Sequence, residues 1–129
     1  MNVFFRIRFE KVWAAITTAE AIADWLFTCD FKPEAGHKFT LRTTPPEGST
    51  WRGWTDIEVL EVDPPTRMVW GWESADIDAP TRVTFELVAI DGGTRLNLSH
   101  TGDTTADDIA SVSGGWPLKL DALVAYVEK

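Results

Sequence analysis

The sequence has few of the residues that form disulfides or bind metals through thiolate and imidazole groups. Its 129 residues include one cysteine, Cys29, and two histidines, His37 and His100. A single cysteine excludes an internal disulfide and a thiolate-rich zinc site, as expected of a protein from a reducing compartment. Because the two histidines have no third ligand at a metal-binding spacing, we expect neither a bound metal nor a cofactor.

Positive charge is also scarce, since 12 lysines and arginines stand against 20 aspartates and glutamates, a net charge of −8. Nucleic acids and anionic membranes require a basic surface, so the composition excludes both as partners. No long uncharged apolar run is present, and Arg6, Arg8, Glu10 and Lys11 interrupt the first segment. This pattern excludes a signal peptide or a spanning helix there. We therefore expect a soluble, cytoplasmic protein.

Aromatic residues are abundant by contrast. The sequence has seven tryptophans and seven phenylalanines but a single tyrosine. A chain of this length forms one domain, expected over residues 1–129, and buries roughly two-thirds of its unfolded surface. So many large rings in one small domain indicate either an aromatic core or a cavity lined with aromatic side chains.

The N-terminal part of the sequence predicts a strand followed by two short helices. Between residues 3 and 9, apolar side chains alternate with others, as in a half-buried strand. From Glu10 the apolar residues recur at helical spacing, and Thr17 and Thr18 divide them into two helices. Thr18 is expected to cap the second helix, which would end near Trp25.

Residues 37–102 predict antiparallel strands, with alternation over 37–43, 66–73, 81–90 and 94–101. The segment 51–62 is too long for strict alternation, and a bulge near Glu58 would bring its apolar residues to one face. Asp91 and Gly92 mark a hairpin. After a loop over 103–114, a final helix begins near Trp116 and carries one apolar face.

These elements predict an α+β fold in which one antiparallel sheet of about six strands curves around the long C-terminal helix. One face of the sheet is apolar and the other polar, so the apolar face must be covered. Only the terminal helix is long and apolar enough to cover it. The result is a helix-grip architecture.

The order and spacing of these elements resemble the START/Bet-v-1-like (SRPBCC) superfamily of helix-grip proteins. Within it, the sequence is most similar to homologues of the activator of heat-shock-protein-90 ATPase. The segments that carry the likeness are residues 12–17 with Trp25, 31–36, 58–65, 68–72, 83–87, 93–96, 100–102 and 115–123. The sequence departs from the family at Arg8-Phe9-Glu10, where a small residue and a proline usually precede the first helix. It departs again at His37, where the family commonly has paired glycines.

The candidate site consists of side chains that share the inward face of strands and helices. Trp70 and Trp72 fall on one face of their strand, and Trp116 begins the apolar face of the last helix. The predicted cavity residues are Trp25, Phe39, Trp70, Trp72, Phe85, Leu98, His100, Trp116 and Leu120, with Thr43 as a further polar group. A mostly apolar space with a few polar groups is the usual form of a ligand site. The sequence leaves open whether the rings line a cavity or fill it.

No combination of residues predicts catalysis. His100 could orient a ligand or act as a general base, but the favoured interpretation is a buried neutral imidazole bonded to a hydroxyl or backbone group of the adjoining loop. Cys29 stands beside Asp30, whose charge raises a thiol pKa, and no serine has the Gly-x-Ser-x-Gly context. We therefore assign no catalytic residue and expect a protein that is not an enzyme.

The outward face of the strands is expected to carry mainly basic residues. They are Arg6, Arg8, Lys38, Arg42, Arg82 and Arg95, with Glu86 among them. Such a set is usually a solvated face, but on an acidic protein it could receive an acidic partner. Trp51 and Trp54 flank the expected bulge, and exposure of either one would favour a homodimer.

The resemblance and the aromatic interior together imply a protein that holds an apolar or aromatic small molecule between the sheet and the terminal helix. The family name implies an alternative, a chaperone-associated or stress-response protein that binds another protein. The superfamily implies a second alternative, a cyclase- or aromatase-like enzyme that uses His100 as acid or base. The sequence names neither ligand nor partner, and it leaves monomer and homodimer open.

Overall fold

Six strands and three helices form the regular structure in the part of the chain that is described. The structure, a computed structural model, describes residues 1–42, 47–48, 53–73, 80–102, 105–106 and 115–128. The strands are β1 (Asn2–Phe5), β2 (Lys38–Arg42), β3 (Trp54–Asp63), β4 (Arg67–Glu73), β5 (Thr81–Ile90) and β6 (Gly93–Gly102). The helices are α1 (Phe9–Ile16), α2 (Ala19–Trp25) and α3 (Trp116–Val127).

The strands form one antiparallel sheet in the order β1-β6-β5-β4-β3-β2. After β1 the chain passes through α1 and α2 and enters the sheet again at the opposite edge as β2. Each following strand then pairs with the one before it until β6 lies beside β1. The predicted α+β class, the strand number and the helix positions are confirmed.

The predicted alternation holds on the central strands. Their inward residues are buried, namely Met68, Trp70 and Trp72 on β4, Val83, Phe85 and Leu87 on β5, and Leu96, Leu98 and His100 on β6. The residues between them on β5 and β6, such as Arg82, Glu86 and Arg95, are exposed. The core therefore lies on one face of the sheet, and the opposite face meets solvent.

α3 covers the inward face with one side of the helix. Its buried residues are Trp116, Leu120, Leu123 and Val127. The Trp116 ring lies 6.2 Å from the ring of Phe85 on β5. Just beyond the other end of the helix, the Glu128 carboxylate accepts a hydrogen bond from the backbone N–H of Arg6, which follows β1. This placement is the helix grip that the sequence predicts.

The first strand is shorter than predicted, because β1 ends at Phe5 and α1 begins at Phe9. Arg8 is extended, and its carbonyl accepts hydrogen bonds from the N–H groups of Lys11 and Val12. Phe9 fits two periods at once: it continues the alternation of the strand, and it also lies on the same helical face as Val12. Because that helical face packs against the core, Phe9 belongs to α1 and not to the strand.

Thr18 occupies the N-cap position of α2, as predicted, but its side chain does not cap that helix. Its hydroxyl donates instead to the carbonyl of Ala14 at 3.0 Å, and the Thr17 hydroxyl donates to the carbonyl of Trp13 at 2.7 Å. Both hydroxyls therefore satisfy carbonyls in the last turns of α1. The side chains of the two threonines therefore stabilise the C-terminal end of α1 and not the N-terminal end of α2.

The bulge in β3 lies two residues after its predicted position. The pairing with β4 shifts between Val59 and Glu61, which leaves Leu60 as the extra residue instead of Glu58. Beyond the bulge, Val62 pairs with the inward residue Met68. The bulge therefore brings Val62 to the inward face, as predicted, but leaves Leu60 on the outward face.

The β5–β6 hairpin turns at Asp91 and Gly92, as predicted, and Gly92 has the positive φ of 82° that favours glycine. The next residue, Gly93, lies so close to β1 that an added Cβ would overlap the Phe5 carbonyl oxygen. Thr43, Trp51 and most of the loop predicted over 103–114 lie outside the described residues. None of the described helices is long and apolar enough to cross a membrane.

Candidate functional site

The predicted cavity residues all point into the space between the sheet and the helices. Trp25 ends α2, Phe39 lies on β2, and the remaining seven come from β4, β5, β6 and α3. Each of them is at most 8% exposed. The alternation of apolar residues therefore identifies the buried face correctly. Whether these residues bind a ligand is a separate question, which depends on how they contact one another.

A row of aromatic rings crosses this interior from β2 to α3, and we call it the aromatic row. Its neighbouring ring pairs and centroid distances are Phe31–Phe39 at 5.4 Å, Phe39–Trp70 at 5.5 Å, Trp70–Phe85 at 4.7 Å, Phe85–Trp116 at 6.2 Å and Trp116–Trp72 at 5.6 Å. These are distances of rings in contact, most of them edge to face. Between these described residues, the rings fill the space and do not line an open cavity.

Phe31 is a member of the aromatic row that the predicted cavity set lacks. It is buried, and its ring also lies 6.0 Å from that of Trp70. The residue belongs to a segment between α2 and β2 without helix or strand, so no periodicity marks it as inward. Its position among apolar neighbours could be read only from the folded chain.

One corner of the interior is polar and consists of three side chains, His100, Thr81 and Trp116. The indole N–H of Trp116 donates to Nδ1 of His100 at 3.1 Å, and Nε2 of His100 lies 2.8 Å from the Thr81 hydroxyl. An indole N–H only donates, so Nδ1 must accept and the imidazole proton must be on Nε2. Nε2 then donates to Thr81, whose hydroxyl donates to the backbone carbonyl of Trp72.

Burial lowers the pKa of His100 from 6.5 to about 4. The imidazole is therefore neutral at neutral pH, as the bonding pattern also requires. Both of its ring nitrogens are occupied by hydrogen bonds within the protein. The predicted buried neutral imidazole matches this geometry, and a free general base does not. The predicted partner in the adjoining loop is wrong, because the ring bonds to Thr81 on β5 and to Trp116 on α3.

The indole N–H of Trp70 differs from two other indoles in the interior. Trp25 donates to the carbonyl of Ala15 at 2.9 Å, and Trp116 donates to His100. Trp70 is fully buried, and its Nε1 has no hydrogen-bond partner among the described residues. Sequence reasoning missed this feature, because it depends on which acceptors the fold brings near the ring.

The remaining candidates for chemistry have structural surroundings. His37 donates from Nε2 to the Asp30 carbonyl at 2.8 Å, and its ring stacks on Phe39. Burial raises the pKa of Cys29, and the charge of Asp30 adds to the rise in the predicted direction. In the described part of the chain, no three His, Cys, Asp or Glu residues are grouped so that they could hold a metal ion.

The outward basic residues do not form a continuous stripe, because acidic residues lie among them, as in the solvated face that the sequence favours. Lys38 pairs with Glu58, and Gly71 separates Glu58 from Arg82 along the same row. Arg95 lies away from them, where it pairs with Phe4 on β1. Alternation predicts which residues face outward but not how the strands align, and the alignment mixes the charges.

A groove of about 560 Å³ lies on this outward face. Lys38, Glu58, Leu60, Gly71 and Arg82 are among the residues that line it. Its charged residues have both signs, so it presents no single charge to a partner. Phe39 and Trp72 of the predicted cavity set also line it, whereas the other seven predicted residues do not.

Solved structures of similar fold include the protein MLL2253 from Mesorhizobium loti, which is 28% identical with a TM-score of 0.83. That match covers 99% of this chain and 94% of the other. BH1534 from Bacillus halodurans is also 28% identical, with a TM-score of 0.77 over 98% of this chain and 94% of its own. Among curated protein sequences, none matches this chain.

DynU16, from the dynemicin biosynthetic locus, has a TM-score of 0.82 at 21% identity. The match covers all of this chain but 46% of DynU16, and at this identity it shows a common fold alone. The family model described as Activator of Hsp90 ATPase homolog 1-like protein matches residues 6–128, nearly the whole chain. The chain therefore belongs to the family of Activator of Hsp90 ATPase homolog 1-like proteins.

Proposed function

We propose that this protein binds an apolar or aromatic small molecule between the sheet and α3. The observation that carries the proposal is the aromatic row, which ends at a polar corner made by His100, Thr81 and Trp116. Sites for small molecules are mostly lined by apolar and aromatic side chains, with a few polar groups that fix orientation. The interior has this composition, with its polar groups gathered at one corner.

Because the rings are in contact, a ligand must displace at least one of them. Phe31 is the member of the aromatic row that lies outside the helices and strands, whereas Phe39, Trp70 and Phe85 are fixed on strands. The segment around Phe31 is bonded to the sheet at both ends, through the Thr28 carbonyl and the Gly36 N–H. Movement of Phe31 between these two anchors gives the ligand access without disturbing the sheet.

The experiment is a titration of aromatic and lipid-like ligands followed by tryptophan fluorescence. We expect a saturable change, because the bound molecule lies against tryptophan rings. Phe39→Ala should weaken binding, since its ring lies 5.4 Å from that of Phe31 and would contact a ligand that takes the place of Phe31. Trp54→Ala is the control, because Trp54 is exposed on the outward face. Equal loss in both variants, or no saturable binding, would contradict the proposal.

We propose further that binding is not followed by a reaction at His100. An acid or base must have a free nitrogen toward the substrate, and both nitrogens of this ring are engaged with Thr81 and Trp116. A pKa of about 4 also makes His100 a weak base at neutral pH. A cyclase- or aromatase-like turnover that is lost in His100→Ala while ligand binding remains would contradict this part of the proposal.

A second candidate function is association with another protein, which the family description suggests. The observation in its favour is a row of exposed side chains on the outward face, where Arg95 lies between Phe4 and Val88 in register. The test is stimulation of a chaperone ATPase by the protein and by Phe4→Ser. Stimulation that depends on Phe4 would support this candidate, and no stimulation would remove it.

A further inference from the structure

Among the residues that the structure describes, one buried side-chain hydrogen-bond donor has no acceptor. Trp70 is fully buried, and its indole Nε1 has no acceptor in the part of the chain that the structure describes. Burying an unpaired donor costs free energy, because the bond that the group makes with water in the unfolded chain is lost. Such a group in an otherwise well-paired interior indicates an acceptor that comes from outside the chain.

The described neighbours of Trp70 are apolar side chains that offer its N–H no acceptor. Trp70 lies on β4 between the inward residues Val59 and Val83 of the adjacent strands. The rings of Phe39 and Phe85 pack against its ring. These neighbouring side chains are hydrocarbon. A phenylalanine could fill such a place without an unpaired donor, so the N–H of tryptophan is the feature that requires an explanation.

We infer that the indole N–H of Trp70 donates a hydrogen bond to the carbonyl oxygen of a neutral aromatic ligand. This inference rests on the proposed function and names the chemical class that the same interior selects. The ligand ring takes the place of Phe31, whose ring lies 6.0 Å from that of Trp70 and 5.4 Å from that of Phe39. The carbonyl oxygen then points at Nε1.

The surroundings of Trp70 favour a carbonyl over other oxygen groups. A carboxylate would lose its hydration among phenyl rings, and one neutral N–H compensates little of that loss. A hydroxyl can accept the bond, but its own proton would then be left without an acceptor beside the same rings. A carbonyl oxygen accepts and has nothing to donate, so a single N–H can satisfy it.

The test compares two probes of nearly the same shape, 2-acetylnaphthalene and 2-isopropylnaphthalene. The first carries a carbonyl oxygen where the second carries a methyl group. We expect both to bind, and we expect the ratio of their affinities to favour the ketone about tenfold more in the wild type than in Trp70→Phe. An unchanged ratio in Trp70→Phe would overturn the inference.

Trp25→Phe is the matched control, because its indole N–H is already paired with the Ala15 carbonyl. The same chemical change at Trp25 should leave the ratio of the two affinities at its wild-type value. A ratio that falls equally in both variants would overturn the inference, since it would reflect a general loss of packing.

A second measurement follows ligand binding in the wild-type protein alone, and a variant is used only to identify a resonance. In protein with ¹⁵N-labelled tryptophan, the ketone should move the Nε1–H resonance of Trp70 downfield, and the hydrocarbon should not. The resonance is identified as the one that Trp70→Phe lacks. Binding of both probes without this difference would overturn the inference but leave the proposed function intact. Failure of both probes to bind would contradict the proposed function as well.

Discussion

The indole N–H of Trp116 lies 3.1 Å from Nδ1 of His100, and this hydrogen bond joins the first turn of α3 to β6. The geometry admits one protonation state, because an indole cannot accept and Nδ1 must therefore be free of a proton. The helix that covers the interior is thus attached to the sheet by a contact that exists only while the imidazole is neutral. Protonation of His100 would place two donors against each other.

The first prediction concerns acid stability. His100 in the unfolded chain takes up a proton near its ordinary pKa of 6.5, whereas in the folded protein its pKa is about 4. Its contribution to stability is therefore complete above pH 6.5 and is lost as the pH falls towards 4. The loss amounts to at most about 3 kcal/mol in the free energy of unfolding. Urea denaturation at pH 7 and pH 4.5 measures it.

Carboxylates also titrate in this pH range. The contribution of His100 to the pH dependence of the free energy of unfolding must therefore be separated from theirs. His100→Gln should be less stable at pH 7 but should lack this part of the pH dependence. His37→Gln should keep it, because His37 bonds to the Asp30 carbonyl outside the polar corner. The same pH dependence in all three proteins would show that His100 does not couple stability to pH.

The second prediction concerns the unpaired indole and needs no ligand. Trp25 and Trp70 are both almost fully buried, so replacing either by phenylalanine removes a similar ring volume. Trp25→Phe also leaves the Ala15 carbonyl without its donor, whereas Trp70→Phe removes a donor that has no partner among the described residues. Trp25→Phe should therefore lower the free energy of unfolding by about 1 kcal/mol more than Trp70→Phe. Equal losses in urea denaturation would contradict this.

The third prediction concerns the close approach of β6 to β1. An added Cβ at Gly93 would overlap the Phe5 carbonyl oxygen, so Gly93→Ala must push β1 away from its partner strand. We expect a loss of about 2 kcal/mol or more in the free energy of unfolding. Gly115→Ala is the control, since no heavy atom lies within 4 Å of a Cβ there. Comparable stability of the two variants in urea would refute the prediction.

The fourth prediction concerns a contact between α3 and the end of α2. The Lys119 ammonium donates to the Leu26 carbonyl at 3.3 Å and lies 4.4 Å from the centre of the Phe27 ring. Lys119→Met keeps the aliphatic stem but removes the charge, which should cost about 1 kcal/mol of stability. Lys11→Met, at an exposed position of α1, should cost little. Thermal unfolding of both variants measures the difference.

The sequence predicted the fold because most of its signals agree with one another. Alternation on β4, β5 and β6 identifies the inward residues correctly, since an antiparallel sheet with one solvated face requires a period of two. The hairpin at Gly92 follows from local turn chemistry. Where two periods fit the same residue, as at Phe9, the sequence could not decide, and the boundary between strand and helix was misplaced.

The site was predictable as a set of inward residues but not as a set of contacts. His100 and Trp116 are distant along the chain, and their hydrogen bond exists only because α3 lies across β6. The unpaired N–H of Trp70 depends on what the adjacent strands bring near it. Phe31 lies in an irregular segment that has no period. Each of these features is set by tertiary packing, to which residue spacing is insensitive.

The central claim is that the interior between the sheet and α3 binds an aromatic small molecule, and the most direct measurement is the position of a bound probe. Nuclear Overhauser effects between 2-acetylnaphthalene and the protein report it. We predict saturable binding with contacts to ring protons of Phe39 and Trp70, the two rings that lie beside Phe31 in that interior. Contacts confined to Leu60 in the outward groove, or no saturable binding, would contradict the claim.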